Sequence, residues 1–151
     1  MIVTGANSGL GLEASRHFVR LGAAKVILAC RSVERGEAAR RDIEATTNRE
    51  GVVEVWEVDL VFFDSVKRFC RRAGGLERLD VLVLNAGVAV PEFAAADGGY
   101  ETQIAVNVVS TFLVALMVLP KLRETAGMYA VQPRLVFVSS DGHHFVSLLL
   151  T

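Results

Sequence analysis

The chain has 151 residues, 52% of them hydrophobic, with a formal net charge of −1, a pI near 6.3 and a mean hydropathy of +0.39. That length suits one domain with a substantial core, and the near-neutral charge leaves no electrostatic footprint for nucleic acid or an anionic membrane. Two cysteines, Cys30 and Cys70, are too few for a disulfide framework and fit buried thiols in a reducing compartment. No basic segment precedes the apolar N-terminal residues, so a cytoplasmic protein without a secretory signal is expected.

Short apolar runs alternate with helical stretches along the chain. Met1–Val3 is a predicted strand, followed by a glycine-rich turn and a helix from about Gly9 to Leu21. Lys25–Cys30 is the second strand and Ser32–Thr46 a charged second helix. Val52–Val58, rich in β-branched residues, is the third strand. Asp64 is a candidate N-cap for a short helix ending near Gly74 and Gly75. Leu79–Leu84 is the fourth strand, with a loop to about Gly99. Tyr100–Glu124 is a long apolar helix, kinked or restarted at Pro120, and Arg134–Val138 the fifth strand. Residues 104–119 form the longest apolar stretch, short of the ~20 residues a span requires, and interrupted by Asn107, Ser110 and Thr111; a buried helix is expected there, not a membrane span. Strands apolar throughout and separated by helices indicate a doubly wound parallel α/β sheet, with expected strand order 3-2-1-4-5. The first strand has no lead-in, and the fifth would be a flat apolar edge of the kind proteins normally cover. An incomplete sheet lacking a C-terminal part is therefore expected.

The turn after the first strand reads Thr4-Gly5-Ala6-Asn7-Ser8-Gly9-Leu10-Gly11. A phosphate site here needs free N–H groups at a helix N-terminus and backbone that can come close to the ligand, which glycine permits. An ordinary tight βα turn would also use glycine, but the position directly after the first strand of a βαβ unit favours the phosphate reading.

This T-G-x-x-x-G-x-G spacing resembles the short-chain dehydrogenase/reductase family, and the resemblance runs along essentially the whole chain. Arg31 follows the second strand, Asp59-Leu60 the third and Asn85-Ala86-Gly87 the fourth; the long helix carries Asn107 in Val106–Phe112, and the fifth strand ends in Val138-Ser139-Ser140. The resemblance implies a Rossmann-type nucleotide-binding domain over residues 1–151. It also implies an NADP(H)-dependent oxidoreductase interconverting a small-molecule carbonyl and an alcohol. Gly5, Asn7, Ser8, Gly9, Leu10 and Gly11 would hold the pyrophosphate. Asp59 would meet the adenine with Leu60 beside it, although a turn cap is an equally good reading of that aspartate. Asn85, Ala86 and Gly87 would lie under the cofactor, with Val106 among its contacts. Arg31 stands where an acidic residue would bind the ribose of NAD(H); a guanidinium suits a 2′-phosphate instead, so NADP(H) is favoured over NAD(H), the other reading being a solvated surface arginine.

For the chemistry, the resemblance assigns Ser140 to the substrate carbonyl, with Ser139 as the alternative. It assigns Asn107, expected to be buried, to a water on a proton path. No metal is expected: His143 and His144 are treated as loop residues without a third ligand, and so is His17 on the first helix. The family's tyrosine with a lysine four residues later is not in these residues, since Tyr100 is followed by Ile104 and Tyr129 by Pro133. The 151-residue form is accordingly expected to be inactive alone; a non-catalytic nucleotide binder or an inactive truncation product is the alternative, and a methyltransferase with a similar sheet is disfavoured by the threonine-led turn. Ala29-Cys30-Arg31-Ser32 and Asp97–Glu101 resemble the retinol-dehydrogenase and WW-domain-oxidoreductase branch. In the family the Tyr100–Glu124 helix pairs with its symmetry mate, implying a homo-oligomer.

Overall fold

The computed structural model describes residues 1–140. Five strands, β1 (Ile2–Thr4), β2 (Val26–Cys30), β3 (Val53–Glu57), β4 (Val81–Leu84) and β5 (Arg134–Phe137), form one sheet in the order β3-β2-β1-β4-β5. Every pairing is parallel, with Ile2 opposite both Ile27 and Leu82. The expected topology is therefore the observed one, with strand ends shifted by one or two residues.

The two-residue period of the strands sorts the core into two layers. Ile2, Ile27, Ala29, Leu82 and Leu84 point to one face, against Val66 and Phe69 of α3 (Phe63–Gly74) and Val114 and Val118 of α4 (Thr111–Tyr129). Val3, Leu28, Val26, Val53 and Val83 point to the other, against Val19 of α1 (Gly9–Arg20) and Ala39 and Ile43 of α2 (Val33–Thr47). All five residues of β2 are buried, as the unbroken apolar run requires of a strand covered on both faces.

Three helix boundaries differ from the sequence reading. Asp64 does not cap α3: the N-cap is Phe62, which has no side-chain capping bond, and the Phe63 N–H donates instead to Asp97 Oδ2 at 3.1 Å. The cap is supplied from a short 3₁₀ turn, Asp97–Gly99, inside the stretch expected to be irregular. Second, the long helix begins as a π-helical segment, Ile104–Ser110, whose start is capped by Glu101 Oε2 accepting from the Gln103 N–H at 2.9 Å and the Ile104 N–H at 3.1 Å. Third, α4 runs to Tyr129 rather than ending at Glu124, and Pro120 sits inside it without ending it. Pro120 is on the exposed side, where water can satisfy the carbonyl that loses its partner.

Together Ile104–Tyr129 is long and apolar enough to cross a membrane, which corrects the expectation that the stretch was too short. Its Val106, Val114, Ala115, Val118 and Leu122 are nonetheless buried in the core, the behaviour of a core helix in a globular fold. On its other side Phe112 is exposed and packs against Phe137 of the edge strand β5, ring centroids 5.1 Å apart. Val136, Phe137 and Val138 are exposed, so β5 is the apolar edge that was expected.

The Asp97→Ala variant should lose about 1 kcal/mol of stability, as removal of a helix cap typically does. Asp97→Asn, which keeps an acceptor oxygen, should lose less. Urea unfolding checks this, and coincident midpoints for wild type and Asp97→Ala would show that the long-range cap contributes nothing.

Candidate functional site

The sheet carries a cavity of about 380 Å³ across the C-terminal ends of β1 to β4. In doubly wound sheets that end, at the strand where the order reverses, is where ligands sit. Here β1 is that strand, with β2 on one side and β4 on the other.

One side of the cavity is the turn from β1 to α1. Gly5 has φ +65°, its N–H donates to the Ala29 carbonyl at 2.8 Å, and a Cβ there would lie 2.9 Å from Ala86 Cα. A Cβ on Gly11 would lie 2.5 Å from Asn85 Nδ2 and 2.6 Å from the Gly5 carbonyl oxygen. Both glycines are thus required by backbone approach rather than by chain flexibility. The same two turns are stitched by side chains. Thr4 Oγ1 accepts from the N–H groups of Asn85 and Ala86, each at 3.0 Å, and Asn85 Nδ2 donates to the Thr4 carbonyl at 3.0 Å. Thr4 was visible in the sequence only as the letter leading the glycine pattern; its role as the acceptor for the turn after β4, about eighty residues on, is decided by the β1–β4 pairing.

Of the residues expected to contact the cofactor, Gly5, Asn7, Ser8, Arg31, Asp59, Leu60, Asn85, Ala86, Gly87 and Val106 share the cavity wall. Gly9, Leu10 and Gly11 do not line it. Leu10 is 77% exposed on the first turn of α1, and Gly9 has φ +56°. Asp59 lines the cavity and also works as a turn cap: Oδ1 accepts from the Val61 N–H at 2.9 Å. Leu60 is held from behind, its carbonyl accepting from the buried Ser110 Oγ at 2.6 Å. Ser110 stood out in the sequence only as an interruption of the apolar stretch, yet its hydroxyl ties the π-helical segment to the cavity floor.

Asn107 corrects the sequence expectation: it is exposed, not buried. Its partners are nevertheless specific. Oδ1 accepts from the Val88 N–H at 2.9 Å and Nδ2 donates to the Val88 carbonyl at 2.8 Å, so the amide clamps the residue that follows Asn85-Ala86-Gly87. A Cβ on Gly87 would come within 3.3 Å of Asn107 Oδ1. Ser140 follows β5, is exposed and lies outside the cavity wall.

Three charged residues line the cavity: Arg31, Arg35 and Asp59. Arg35, in the first turn of α2, was not singled out in the sequence. Cys30 is also on the wall, but burial pushes its thiol up, and burial pushes Cys70 up to about 11. Neither is poised as a thiolate nucleophile. Among the described residues no group of three His, Cys, Asp or Glu side chains could hold a metal ion. The expected loop positions of His143 and His144 lie outside the described residues.

The family model for short chain dehydrogenases matches residues 1–146. The chain belongs to the short-chain dehydrogenase/reductase family. It is similar to the short chain dehydrogenase atnD of Emericella nidulans, with 52% identity over 145 residues that cover 95% of this chain and 46% of that protein. The short chain dehydrogenase/reductase dmxR8 of Cryptosporiopsis sp. is 46% identical, covering 95% of this chain and 44% of its own. The chain therefore spans less than half the length of these curated relatives. Among solved structures, a metagenomic short-chain oxidoreductase in complex with NADP is similar at 30% identity and a TM-score of 0.72, over 92% of this chain and 61% of that one. The short-chain dehydrogenase of Sphingobium yanoikuyae, in complex with NADPH, shares the fold at 23% identity and a TM-score of 0.77, over 93% of this chain and 52% of that one.

In this member of the family, Thr4→Val leaves the Asn85 and Ala86 N–H groups without their acceptor. An unsatisfied buried donor costs about 1–3 kcal/mol, so denaturant unfolding should register a loss of at least about 1 kcal/mol, while Thr4→Ser, which keeps the hydroxyl, retains most of the stability. Equal losses for Val and Ser would assign the effect to the methyl group's packing instead.

Proposed function

We propose that this chain forms the nucleotide-binding portion of an NADP(H)-dependent oxidoreductase that interconverts a small-molecule carbonyl and its alcohol. The observation that carries the cofactor choice is Arg31, a guanidinium at the cavity rim immediately after β2, with Cys30 and Ser32 rather than a carboxylate beside it. A carboxylate there would repel a 2′-phosphate; a guanidinium can donate two aligned charge-assisted bonds to it. The cavity's volume lies within the ordinary range for ligand sites, about 300–1,000 Å³, and Gly5 and Gly87 leave backbone bare on its wall.

The turn from Gly5 through Asn7, Ser8, Gly9, Leu10 and Gly11 presents the N-terminus of α1 to the pyrophosphate. That helix has no acidic residue in its first turn and no side-chain cap from Ser8, so its leading N–H groups remain available to an anion. Asp59 and Leu60 flank the adenine. Asn85, Ala86, Gly87 and Val106 form the floor that lets the ring system approach. NADPH, when bound, supplies the hydride. Ser140 donates a hydrogen bond to the substrate carbonyl. Asn107 acts through Val88: with one lone pair and one N–H spent on that residue, its amide keeps one of each for a water on the proton path. The exposed Ile104, Val108, Phe112 and Leu116, four residues apart along one side of the long helix, suit pairing with a second copy. Both buried, protonated thiols suit a reducing compartment such as the cytoplasm.

General acid catalysis is worth about 10²–10⁴ in rate. With no tyrosine followed four residues later by lysine, the 151-residue chain should bind the cofactor yet show no measurable carbonyl-dependent oxidation of NADPH.

Fluorescence titration of the purified chain should give tighter binding of NADPH than of NADH, and Arg31→Ala should reduce that ratio by about tenfold. An unchanged ratio in the variant would remove Arg31 from the argument; an NADH preference in the wild type would overturn the cofactor choice.

A further inference from the structure

We infer that Ser110 is a positioning residue for the base of the nucleotide: through the peptide group between Leu60 and Val61 it aims the Asp59 carboxylate at an exocyclic amine. The inference rests on the nucleotide reading of the cavity and adds to it a residue that lies behind the wall rather than on it.

The turn that follows β3 is held at successive polar groups by separate elements. The Asp59 N–H donates to Ser65 Oγ of α3 at 3.0 Å. The Leu60 carbonyl accepts from Ser110 Oγ of the π-helical segment at 2.6 Å. At the other end of that same peptide group, the Val61 N–H donates to Asp59 Oδ1 at 2.9 Å. Hydroxyl, peptide and carboxylate thus stand in series. Ser110 has no exposed surface, so its bond is sheltered from competing solvent. A peptide group is planar and rigid, so a turn of its carbonyl swings its N–H, and the carboxylate oxygen bound to that N–H follows. Polarisation runs the same way, because a carbonyl that accepts a hydrogen bond strengthens the donor at the other end of its peptide.

The series decides which oxygen the cavity meets. Among the described residues Asp59 is the one carboxylate on the wall. Its Oδ1 is spent on Val61, so Oδ2 is the oxygen left for a ligand. An ionised carboxylate only accepts, so it favours a base that carries a donor at its edge, as the 6-amino group of adenine does. Without the Ser110 hydroxyl the Leu60–Val61 peptide loses the partner that fixes its plane, and the carboxylate turns with it. The Ser65 bond still holds the Asp59 backbone, so the carboxylate keeps its place on the wall and loses its aim.

The test titrates the 5′-monophosphates of adenosine and of purine riboside, which differ only in the 6-amino group, calorimetrically into wild type and four variants. Wild type should prefer the adenosine nucleotide by at least about tenfold. Ser110→Ala should cut that preference to about threefold or less, weakening the adenosine nucleotide and leaving purine riboside within about twofold. Ser110→Cys, a weaker donor, should lie between. Asp59→Asn should abolish the preference, because the Val61 N–H keeps the amide oxygen and turns the NH₂ toward the ligand's amine. Thr125→Val is the control: Thr125 is equally buried and its Oγ1 accepts the Leu79 N–H at 3.0 Å, ahead of β4 and away from the cavity. It should lose stability and keep the preference. An unchanged preference in Ser110→Ala, an equal loss of both nucleotides there, or an equal drop in Thr125→Val overturns the role of Ser110 and leaves the nucleotide reading standing. So does a wild type that binds both nucleotides equally. If wild type binds neither, the nucleotide reading falls as well. Urea unfolding establishes that each variant is folded, and if Ser110→Ala is not, Ser110→Cys carries the comparison.

Discussion

The structure depends on one close approach, between the turn that leaves β1 and the turn that leaves β4. Gly5 faces Ala86 and Gly11 faces Asn85 across distances that admit no Cβ, and Thr4 Oγ1 supplies the acceptor for two N–H groups of the opposing turn. Glycine permits the contact, but the hydrogen bonds make it specific, since backbone brought so near must either find partners or pay for desolvation. Because the contact joins two strands that are neighbours at the reversal of strand order, it also shapes the crevice between them. The cavity is a consequence of how the sheet is wound.

A second constraint governs the other side of the crevice. Gly36 brings α2 against Cys30 and Val55, so the helix start, with Ser32 and Arg35, lies at the rim beside Arg31. Two guanidiniums then share one wall of the crevice, while Glu37 and Glu44 pair with Arg40. Asp59 stands on the same wall, so the cavity carries two positive charges and one negative. The floor is fixed from below by side chains of the long helix: Ser110 holds the Leu60 carbonyl and Asn107 holds both polar groups of the Val88 backbone. The π-helical segment carries both residues. Such segments recur at functional sites.

Much of this was legible in advance because it is written in local patterns. Five apolar runs with β-branched residues and intervening amphipathic stretches can form little else than a parallel sheet between helices, and β2, buried along its whole length, is the clearest instance. Glycines that must pass close to other backbone also announce themselves, since no other residue would serve. Less legible were the features that depend on a partner far along the chain. Asp64 looked like the cap of α3 because it stands at the right place locally, whereas the acceptor came from Asp97. Asn107 looked buried because its neighbours are apolar, but a helix buries only one side, and the asparagine sits on the other, against a loop.

The sequence by itself determined the fold class, the strand order, the family and the group of residues that gather at the crevice, because periodicity, glycine placement and short motifs act over a few residues and survive without coordinates. Only the tertiary structure decided which members of that group share a wall, that Leu10 turns to solvent while Arg35 turns to the cavity rim, and that Thr4, Ser110 and Asn107 are fastenings between distant segments. The physical reason is reach: a hydrogen bond or a missing Cβ acts over about 3 Å, and which atoms come that close is set by the packing of helices on the sheet, not by their spacing along the chain.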